Sequence, residues 1–276
     1  MPEGDTVWRQ ARDLRAVLQG QELASCDFRV PAFATLDFTG LTVTAVQSRG
    51  KHLLMYVGPH VIHSHLSMEG HWDIYPRATP GRASRWRRPA FTARVVLQTQ
   101  LVTAVGFSLG TLEVVAAAQV LDVVGHLGPD LLGPDWDAAQ ALQRLRADPG
   151  RAVGLALLDQ RNLAGIGNVY RNDLCFLGGV HPAMPIGEVA GLPRMVDLAK
   201  RLLEANKDRS SRSTTGGPAR GEAAAWVYGL AGKPCKRCGS LIRYATLADP
   251  LFPTHGARDI YWCPHCQGGP PASTHG

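Results

Sequence analysis

The sequence Cys235-Lys-Arg-Cys238 is followed, after 24 intervening residues, by Cys263-Pro-His-Cys266. Each C-x-x-C turn lets two thiolates converge on one ion, and two such turns on adjacent hairpins complete a tetrahedron. Four thiolates occupy every coordination position of zinc and leave none for water, so the pattern predicts one structural Zn²⁺ that stabilises a small ribbon. We therefore predict a zinc-ribbon finger over residues 226–267. A redox role for the two pairs is the weaker interpretation.

Charge and composition limit the class of protein. The 276 residues carry 29 Lys+Arg against 23 Asp+Glu, and this net charge of +6 favours a polyanionic partner. The chain has no run of about 18 apolar residues and no signal-like start, so we expect a cytoplasmic, intracellular protein with no membrane partner. The two other cysteines, Cys26 and Cys175, lie among apolar neighbours and are predicted to be buried.

Residues 1–124 predict a β-sandwich domain with one flanking helix. Apolar residues at three- and four-residue spacing predict a helix over Asp5–Leu18. Short apolar or alternating runs rich in Val, Thr and Leu then predict strands. Examples of these runs are Leu41–Val46, Leu53–Val57, Val61–His65, Ala93–Leu97 and Thr111–Val115. The arginine-rich segment Pro76–Pro89 predicts a mobile loop that is either simply solvated or in contact with phosphates.

The second half predicts a helical domain that precedes the ribbon. Residues 125–136 are dense in Gly, Pro and Asp and predict a linker, whereas residues 268–276 predict a disordered tail. Residues 137–225 predict a helical domain with helices at about Asp137–Ala147, Ala152–Asp159, Asn168–Phe176 and Pro193–Asn206. The predicted fold class is multidomain α+β, with an N-terminal two-layered β-sandwich and a C-terminal helical domain that carries the zinc-ribbon hairpin.

The start of the chain places a nucleophile beside an acid. Removal of Met1 exposes the secondary amine of Pro2, and an α-amino pKa of about 7.7–8 leaves a useful fraction unprotonated at neutral pH. A secondary amine condenses with a sugar C1′ to an iminium ion, and Glu3 is adjacent as a general acid/base. Because most N-terminal prolines have no chemical role, the pair alone does not identify an enzyme.

Five separated motifs resemble those of the formamidopyrimidine-DNA glycosylase / endonuclease VIII family. They span nearly the whole chain in the family's order, which makes the set specific although each motif alone is modest evidence. The motifs are Pro2-Glu-Gly4, Gly50-Lys-His-Leu-Leu54, His65-Leu-Ser-Met-Glu-Gly70, Leu158-Asp-Gln160 through Gly165-Ile-Gly-Asn-Val-Tyr170, and Val227-Tyr-Gly229 running into the ribbon that ends Tyr261-Trp-Cys-Pro-His-Cys-Gln267. The resemblance implies a helix–two-turn–helix within residues 155–173.

The resemblance also implies an activity, that of a bifunctional DNA glycosylase and AP lyase of base-excision repair. Pro2 would attack C1′ of the damaged nucleotide and form a Schiff base, with Glu3 as the general acid/base. Lys51 matches a family lysine held near the lesion sugar and its phosphate. Successive β- and δ-elimination would then cut the strand on both sides of the sugar.

DNA contacts follow from the same resemblance, and the implied partner is double-stranded DNA with oxidised bases or abasic sites, bound by a monomer. Asn168 and Arg258 match residues that grip phosphates beside the lesion, although Asn168 alone reads as an ordinary N-cap. Met68 matches the residue inserted into the vacated stack, with a core methionine as the rival interpretation. Phe107 is a second candidate wedge. The loop Lys207–Gly221, which we expect to be flexible, either contacts an everted base or is disordered.

The family branch bears on the substrate. Gly4-Asp-Thr-Val7 resembles the endonuclease VIII branch, which favours oxidised pyrimidines, and Asp173 stands where the family more often has Glu. Two alternatives remain open on the sequence: the same fold with a preference for oxidised purines, and a non-catalytic zinc-ribbon protein that binds damaged DNA.

Overall fold

A computed structural model of the chain describes residues 2–77, 85–217 and 221–269. The chain divides into two compact units, Met1–His126 and Leu127–Gly276, and each has its own hydrophobic core. The middle of the predicted Pro76–Pro89 loop and residues 270–276 of the predicted tail lie outside the described residues. Among the helices of the described ranges, none combines the length and the apolar character that a membrane crossing requires.

The first unit contains two four-stranded antiparallel sheets. Its strands are β1 (Ser25–Phe28), β2 (Val43–Arg49), β3 (His52–Val57), β4 (His60–His65), β5 (His71–Pro76), β6 (Ala93–Gln98), β7 (Val102–Phe107) and β8 (Thr111–Ala116). One sheet has the order β1-β6-β7-β5 and the other the order β2-β3-β4-β8. Each of the five strands predicted from the sequence is present with its ends shifted by a few residues. The two-layered sandwich is confirmed.

A single long helix, α1 (Gly4–Leu18), packs on this sandwich, and a short helix, α2 (Val120–Val124), lies near the end of the unit. The apolar residues whose spacing predicts this helix form its buried face; among them are Val7, Ala11, Leu14 and Leu18. Outside that face, Nε of Arg15 donates a hydrogen bond to the carbonyl oxygen of Val46 at 2.7 Å. These contacts fix α1, and hence the residues just before it, relative to β2.

The second unit combines helices with a two-stranded ribbon. Its elements are α3 (Ala138–Leu145), α4 (Val153–Leu158), α5 (Asn168–Leu177), α6 (Leu192–Asn206), β9 (Arg243–Leu247), β10 (Arg258–Trp262) and α7 (Pro264–Gln267). Residues of α3 to α6 form one core, and a smaller cluster joins Phe176 to the cysteine ribbon. A helical domain followed by two antiparallel strands, with one pair of cysteines before β9 and the other after β10, confirms the predicted α+β class.

Two segments that were read as irregular make specific contacts. Residues 127–131 of the predicted linker are buried in the second unit, where Leu131 belongs to the core and Asp130 forms a bridge with Ala164. In the Lys207–Gly221 segment, Ser213 is buried, and its N–H and carbonyl bond the Asn206 carboxamide at 2.8 and 2.9 Å. These bonds correct the expectation of a flexible loop for the residues around Ser213, because the backbone there has fixed partners.

Candidate functional site

Glu3 is fully buried at the start of α1. It has extended backbone geometry and occupies the N-cap position, where its carbonyl oxygen accepts hydrogen bonds from the N–H groups of Thr6 (3.0 Å) and Val7 (3.1 Å). A carboxylate at this position lies at the positive end of the helix dipole. Pro2 is half-buried and directly precedes it. The helix therefore gives the amine and the acid a defined position.

Lys51 lies in the tight turn between β2 and β3. Gly50, beside it, has a φ of +57°, a left-handed conformation that glycine adopts without steric cost. Lys51 is half-buried. Because α1 packs against both β2 and β3, the turn with Lys51 and the helix that follows Pro2 and Glu3 belong to the same packed region of the first unit.

A chain of hydrogen bonds runs through the sheet from the residue after Lys51. Nδ1 of His52 is 2.8 Å from Nε2 of His63, and Nδ1 of His63 is 3.0 Å from Oε2 of Glu113 on β8. His63 on β4 lies directly opposite Glu113 on β8 and diagonally across from His52 on β3, which explains the alignment. Sequence reasoning did not single out this chain, because the register of three strands is needed to see it.

Two imidazoles of this region are neutral at pH 7. Burial, with smaller contributions from neighbouring imidazoles and Lys51, lowers the pKa of His52 to about 3. Burial, with smaller contributions from Lys51 and His63, lowers the pKa of His65 to about 4. Both rings therefore take part in hydrogen bonding beside Lys51 without adding positive charge at neutral pH.

The connection between β4 and β5 presents Met68 at its tip. Met68 is 64% exposed, so the interpretation as a core methionine is wrong. Ser67 has a φ of +55°, and its N–H donates to Nδ1 of His65 at 3.1 Å. The N–H of Gly110, between β7 and β8, donates to the carbonyl oxygen of His65 at 3.0 Å. The left-handed Ser67 and these hydrogen bonds give the loop that presents the exposed thioether a defined backbone conformation.

Phe107 lies at the end of β7 and is completely buried. Its ring packs edge-on against Trp86 at 5.6 Å, in a cluster with Tyr75, Val96 and Val105. Such a ring stabilises the core, and contact with DNA would require the sheet to open. The expectation that Phe107 is a second wedge is therefore corrected: in this conformation it is a core aromatic.

Gln160 organises the turns that precede α5. Its Oε1 accepts the N–H of Gly165 at 3.0 Å, and its Nε2 donates to the carbonyl oxygens of Leu158 (2.8 Å) and Ile166 (2.9 Å). Gly165 has a φ of +115°, which only glycine adopts readily. One side chain thus satisfies the backbone of both turns and sets the direction in which α5 begins.

Asn168 is the first residue of α5. Gly167 occupies the N-cap position, so the interpretation of Asn168 as an ordinary N-cap is wrong. Nδ2 of Asn168 donates to the carbonyl oxygen of Asp259 in β10 at 3.2 Å. Arg258, the exposed first residue of β10, directly precedes Asp259. Asn168 is therefore hydrogen-bonded to the residue that directly follows Arg258. The two residues predicted to bind phosphates thus lie close together.

Other cations of the ribbon have structural partners. Nζ of Lys236 donates to the carbonyl oxygens of Glu222 and Ala225. The guanidinium of Arg237 stacks on the ring of Phe176 at 4.4 Å, a cation–π contact. These two side chains, although they lie between the first pair of cysteines, serve to pack the ribbon against the rest of the second unit.

The four ribbon cysteines converge as the sequence predicts. Their Sγ atoms lie within 4.8 Å of one another, and Cys235 and Cys263 are buried. Tetrahedral zinc with Zn–S bonds of about 2.3 Å needs S···S separations of about 3.8 Å, so the cluster fits the ion.

Two residues of the site, Arg171 and Asn172, were not predicted from the sequence. Arg171 and Asn172 follow Asn168 by three and four positions, so they share its helix face, and both are completely buried. Both side chains bond the carbonyl oxygen of Asp259. The only available signal was this spacing, since the partner strand lies nearly ninety residues away along the chain. Cys175 is buried as predicted, and Cys26 is half-buried.

Known proteins resemble this chain along most of its length. The family model described as the formamidopyrimidine-DNA glycosylase N-terminal domain matches residues 1–107, and the H2TH domain model matches residues 127–203. "Probable endonuclease 8 2" of Streptomyces coelicolor is 53% identical over 276 residues, covering 98% of this chain and 95% of that protein. The DNA-(apurinic or apyrimidinic site) lyase Nei2 of Mycolicibacterium smegmatis is 47% identical over 268 residues, covering 97% and 99%.

The fold is also that of a solved structure, the complex between Lactococcus lactis Fpg and a Fapy-dG containing DNA. The TM-score is 0.76 with 24% sequence identity, covering 96% of this chain and 99% of that chain. At this identity the likeness concerns the fold. Together with the family models and the relatives of much higher identity, it shows that the chain belongs to the formamidopyrimidine-DNA glycosylase / endonuclease VIII family.

Proposed function

We propose that this protein is a bifunctional DNA glycosylase and AP lyase of base-excision repair that acts on double-stranded DNA. The observation that carries the proposal is Glu3, buried at the N-terminal end of α1 directly after Pro2. Schiff-base chemistry requires an amine nucleophile with an acid beside it, and a buried carboxyl is protected from competition by water. Relatives named endonuclease 8 and DNA-(apurinic or apyrimidinic site) lyase support the same activity.

The chemistry follows from these groups. The amine of Pro2 bonds to C1′ of the damaged nucleotide while the bond from C1′ to the base breaks, and the base leaves with the bonding electrons and takes up a proton. Glu3 protonates the sugar ring oxygen as the ring opens to the iminium ion. Loss of a proton from C2′ expels the 3′ phosphate, and loss of one from C4′ expels the 5′ phosphate. Lys51 supplies positive charge at the sugar and phosphate.

Three residues are the DNA contacts that we propose. Asn168 and Arg258 bind phosphates beside the lesion, and exposed Met68 enters the space that the everted nucleotide leaves. Oxidised pyrimidines are the favoured substrates, because the N-terminal motif and relatives named endonuclease 8 2, at 53% and 47% identity, both point to the endonuclease VIII branch. The protein acts as a monomer.

One Zn²⁺ is the metal we propose for the four cysteines, Cys235, Cys238, Cys263 and Cys266. The mutual distances of their sulfur atoms and the all-thiolate donor set support zinc over harder cations. With every position filled by sulfur, the ion supplies folding free energy to the ribbon and takes no part in the reaction.

The test is covalent trapping with borohydride, which reduces the iminium ion to a stable amine. We expect the protein to be trapped on duplexes with thymine glycol or an abasic site. Blocking the N-terminus should abolish trapping, and Glu3→Gln should abolish base excision. Glu22→Gln is the matched control, because Glu22 is exposed and lies beyond the end of α1. Full trapping with a blocked N-terminus would overturn the mechanism.

The same assay separates the alternatives. Faster excision of 8-oxoguanine than of thymine glycol in matched duplexes would replace the pyrimidine preference by a purine one. Tight binding to damaged DNA with neither trapping nor nicking would indicate a binding protein rather than an enzyme.

A further inference from the structure

Three side chains on one face of α5 hold a single carbonyl group of β10. The fully buried Arg171 donates from Nη2 to the carbonyl oxygen of Asp259 at 2.8 Å and also to Oδ1 of Asn168. Nδ2 of Asn168 and Nδ2 of Asn172 each donate to the same carbonyl at 3.2 Å. Oδ1 of Asn172 accepts the N–H of Tyr261 at 2.8 Å, which extends the attachment along the strand.

The guanidinium decides which end of the Asn168 carboxamide faces inward. A guanidinium has five N–H donors and no acceptor, so only the oxygen of the amide can face Arg171 without placing donor against donor. The –NH₂ group of Asn168 must then lie on the other side. One of its two hydrogens is used by the carbonyl of Asp259, and the second is available to a ligand.

A phosphate oxygen accepts hydrogen bonds and donates none at neutral pH. It is bound by the –NH₂ group of a carboxamide and repelled by its oxygen, so a flipped Asn168 would turn a phosphate ligand into a repulsive group. The same contacts of Arg171 fix the peptide next to Arg258, the other proposed phosphate ligand. A buried side chain thereby orients the carboxamide that we propose as a phosphate ligand and holds the residue that follows Arg258.

We propose that Arg171 is a positioning residue for DNA binding: it locks the carboxamide of Asn168 with its N–H donors toward a backbone phosphate of the bound DNA. This inference deepens the proposed function and rests on it, since it takes Asn168 as a ligand of the DNA backbone. Arg171 contacts Asn168, which we take to face the DNA. It also contacts the carbonyl group of Asp259, which attaches β10 to α5.

A double-mutant cycle tests the inference. The four proteins are the wild type, Asn168→Ala, Arg171→Met and the double variant, and the measurement is Kd for a duplex with a tetrahydrofuran abasic analogue. We expect Asn168→Ala to weaken binding about tenfold, because a hydrogen bond to a charged group is lost. Arg171→Met should weaken binding to the duplex about three- to tenfold, since the Asn168 side chain, no longer held by Arg171, must be ordered again when DNA binds. The double variant should bind no more weakly than Asn168→Ala.

The matched control is Asn206→Ala. Asn206 is also a buried asparagine of the second unit that bonds a backbone segment, that of Ser213. Its replacement should lower Tm, and comparison with the Tm of Arg171→Met shows how far loss of a buried polar contact destabilises this unit apart from any effect on Asn168. Arg171→Lys keeps a charged donor for the Asn168 oxygen, so it should retain more affinity than Arg171→Met. If Arg171→Met does not fold, the cycle is run with Arg171→Lys, whose smaller loss should again vanish in the Asn168→Ala background.

Two outcomes overturn the inference and separate it from the proposed function. If the losses of Asn168→Ala and Arg171→Met multiply in the double variant, Arg171 acts independently of Asn168 while the enzyme remains a glycosylase. If Asn168→Ala binds as tightly as the wild type, the phosphate contact itself is absent and Arg171 has nothing to position. Failure of the proposed function would show instead as absence of borohydride trapping in the wild type.

Discussion

The carboxylate of Asp173 on α5 accepts a hydrogen bond at 3.0 Å from the backbone N–H of Val227, 54 positions further along the chain. The same carboxylate accepts the N–H groups of Trp226 (2.9 Å) and Tyr228 (3.2 Å) and the hydroxyl of Thr214. It is completely buried. One acidic side chain therefore fixes the segment that leads from the helical domain into the cysteine ribbon.

Asp173→Asn should destabilise the second unit by about 2–4 kcal/mol. The carboxamide offers one oxygen where the carboxylate offers two, and its –NH₂ group would face backbone N–H donors, so at least one buried donor loses its partner. The measurement is the free energy of unfolding in urea. Asp197→Asn on α6 is the control, because Asp197 is 64% exposed in its ion pair with Arg201. The control should change stability by less than about 0.5 kcal/mol.

The loop that carries Met68 should depend on the absence of a side chain at Gly110. A Cβ there would lie 1.9 Å from Oγ and 2.4 Å from Cβ of Ser67. Gly110→Ala should therefore lower Tm and displace the loop. Ser67→Gly in the same chain should restore Tm, because it removes the clashing atoms and suits the φ of +55° at this position. Equal loss of Tm in the single and the double variant would contradict this account.

Met68→Ala should separate base excision from strand cutting. Met68 is 64% exposed, so the variant should keep the wild-type free energy of unfolding to within about 0.5 kcal/mol. Excision of thymine glycol should slow, since nothing fills the stack when the base is everted, whereas cleavage at a pre-formed abasic site should change much less. Leu101→Ala, also exposed and in the first unit, is the control. An equal loss of base excision and of cleavage at the abasic site would argue against insertion of Met68 into the DNA.

Much of the fold was predictable because its signals are local. The spacing of apolar residues marks α1, and two C-x-x-C turns mark the ribbon. Pro2 and Glu3 were proposed as the catalytic pair in the same way, from neighbouring residues and from the resemblance. The helix bounds agree closely, for example Leu192–Asn206 against the predicted Pro193–Asn206.

What the sequence could not reveal depends on pairs of residues far apart in the chain. Arg171 and Asp259 are separated by 88 positions, so no periodicity announces their contact. Phe107 was taken as a wedge from the resemblance alone, and its burial depends on packing against Trp86, which lies 21 positions earlier in the chain. Lys236 has the charge of a phosphate ligand, and only its two carbonyl partners show that it packs the ribbon.

The metal and the ribbon should be lost together. Cys238→Ser removes one thiolate from four, and we expect zinc content to fall from one ion per chain to well below one, with weaker binding to DNA. The measurements are metal analysis of the purified protein and Kd for abasic-site duplex. Cys26→Ala should keep its zinc, because Cys26 lies in the other unit. A wild-type protein without zinc would refute the assignment of the metal.

Stability of the first unit should decline as the pH falls from about 6.5 toward 4. The pKa values of His52 and His65, about 3 and about 4 in the folded chain, lie below the ordinary value of 6.5, so the unfolded chain binds more protons in this interval. Each group should cost up to about 2 kcal/mol at pH 5 and nothing above about pH 7.5. His52→Gln cannot be protonated, and it should therefore lose less stability than the wild type between pH 7.5 and pH 5 in urea unfolding. Identical pH dependence in the two proteins would show that protonation of His52 is not coupled to folding.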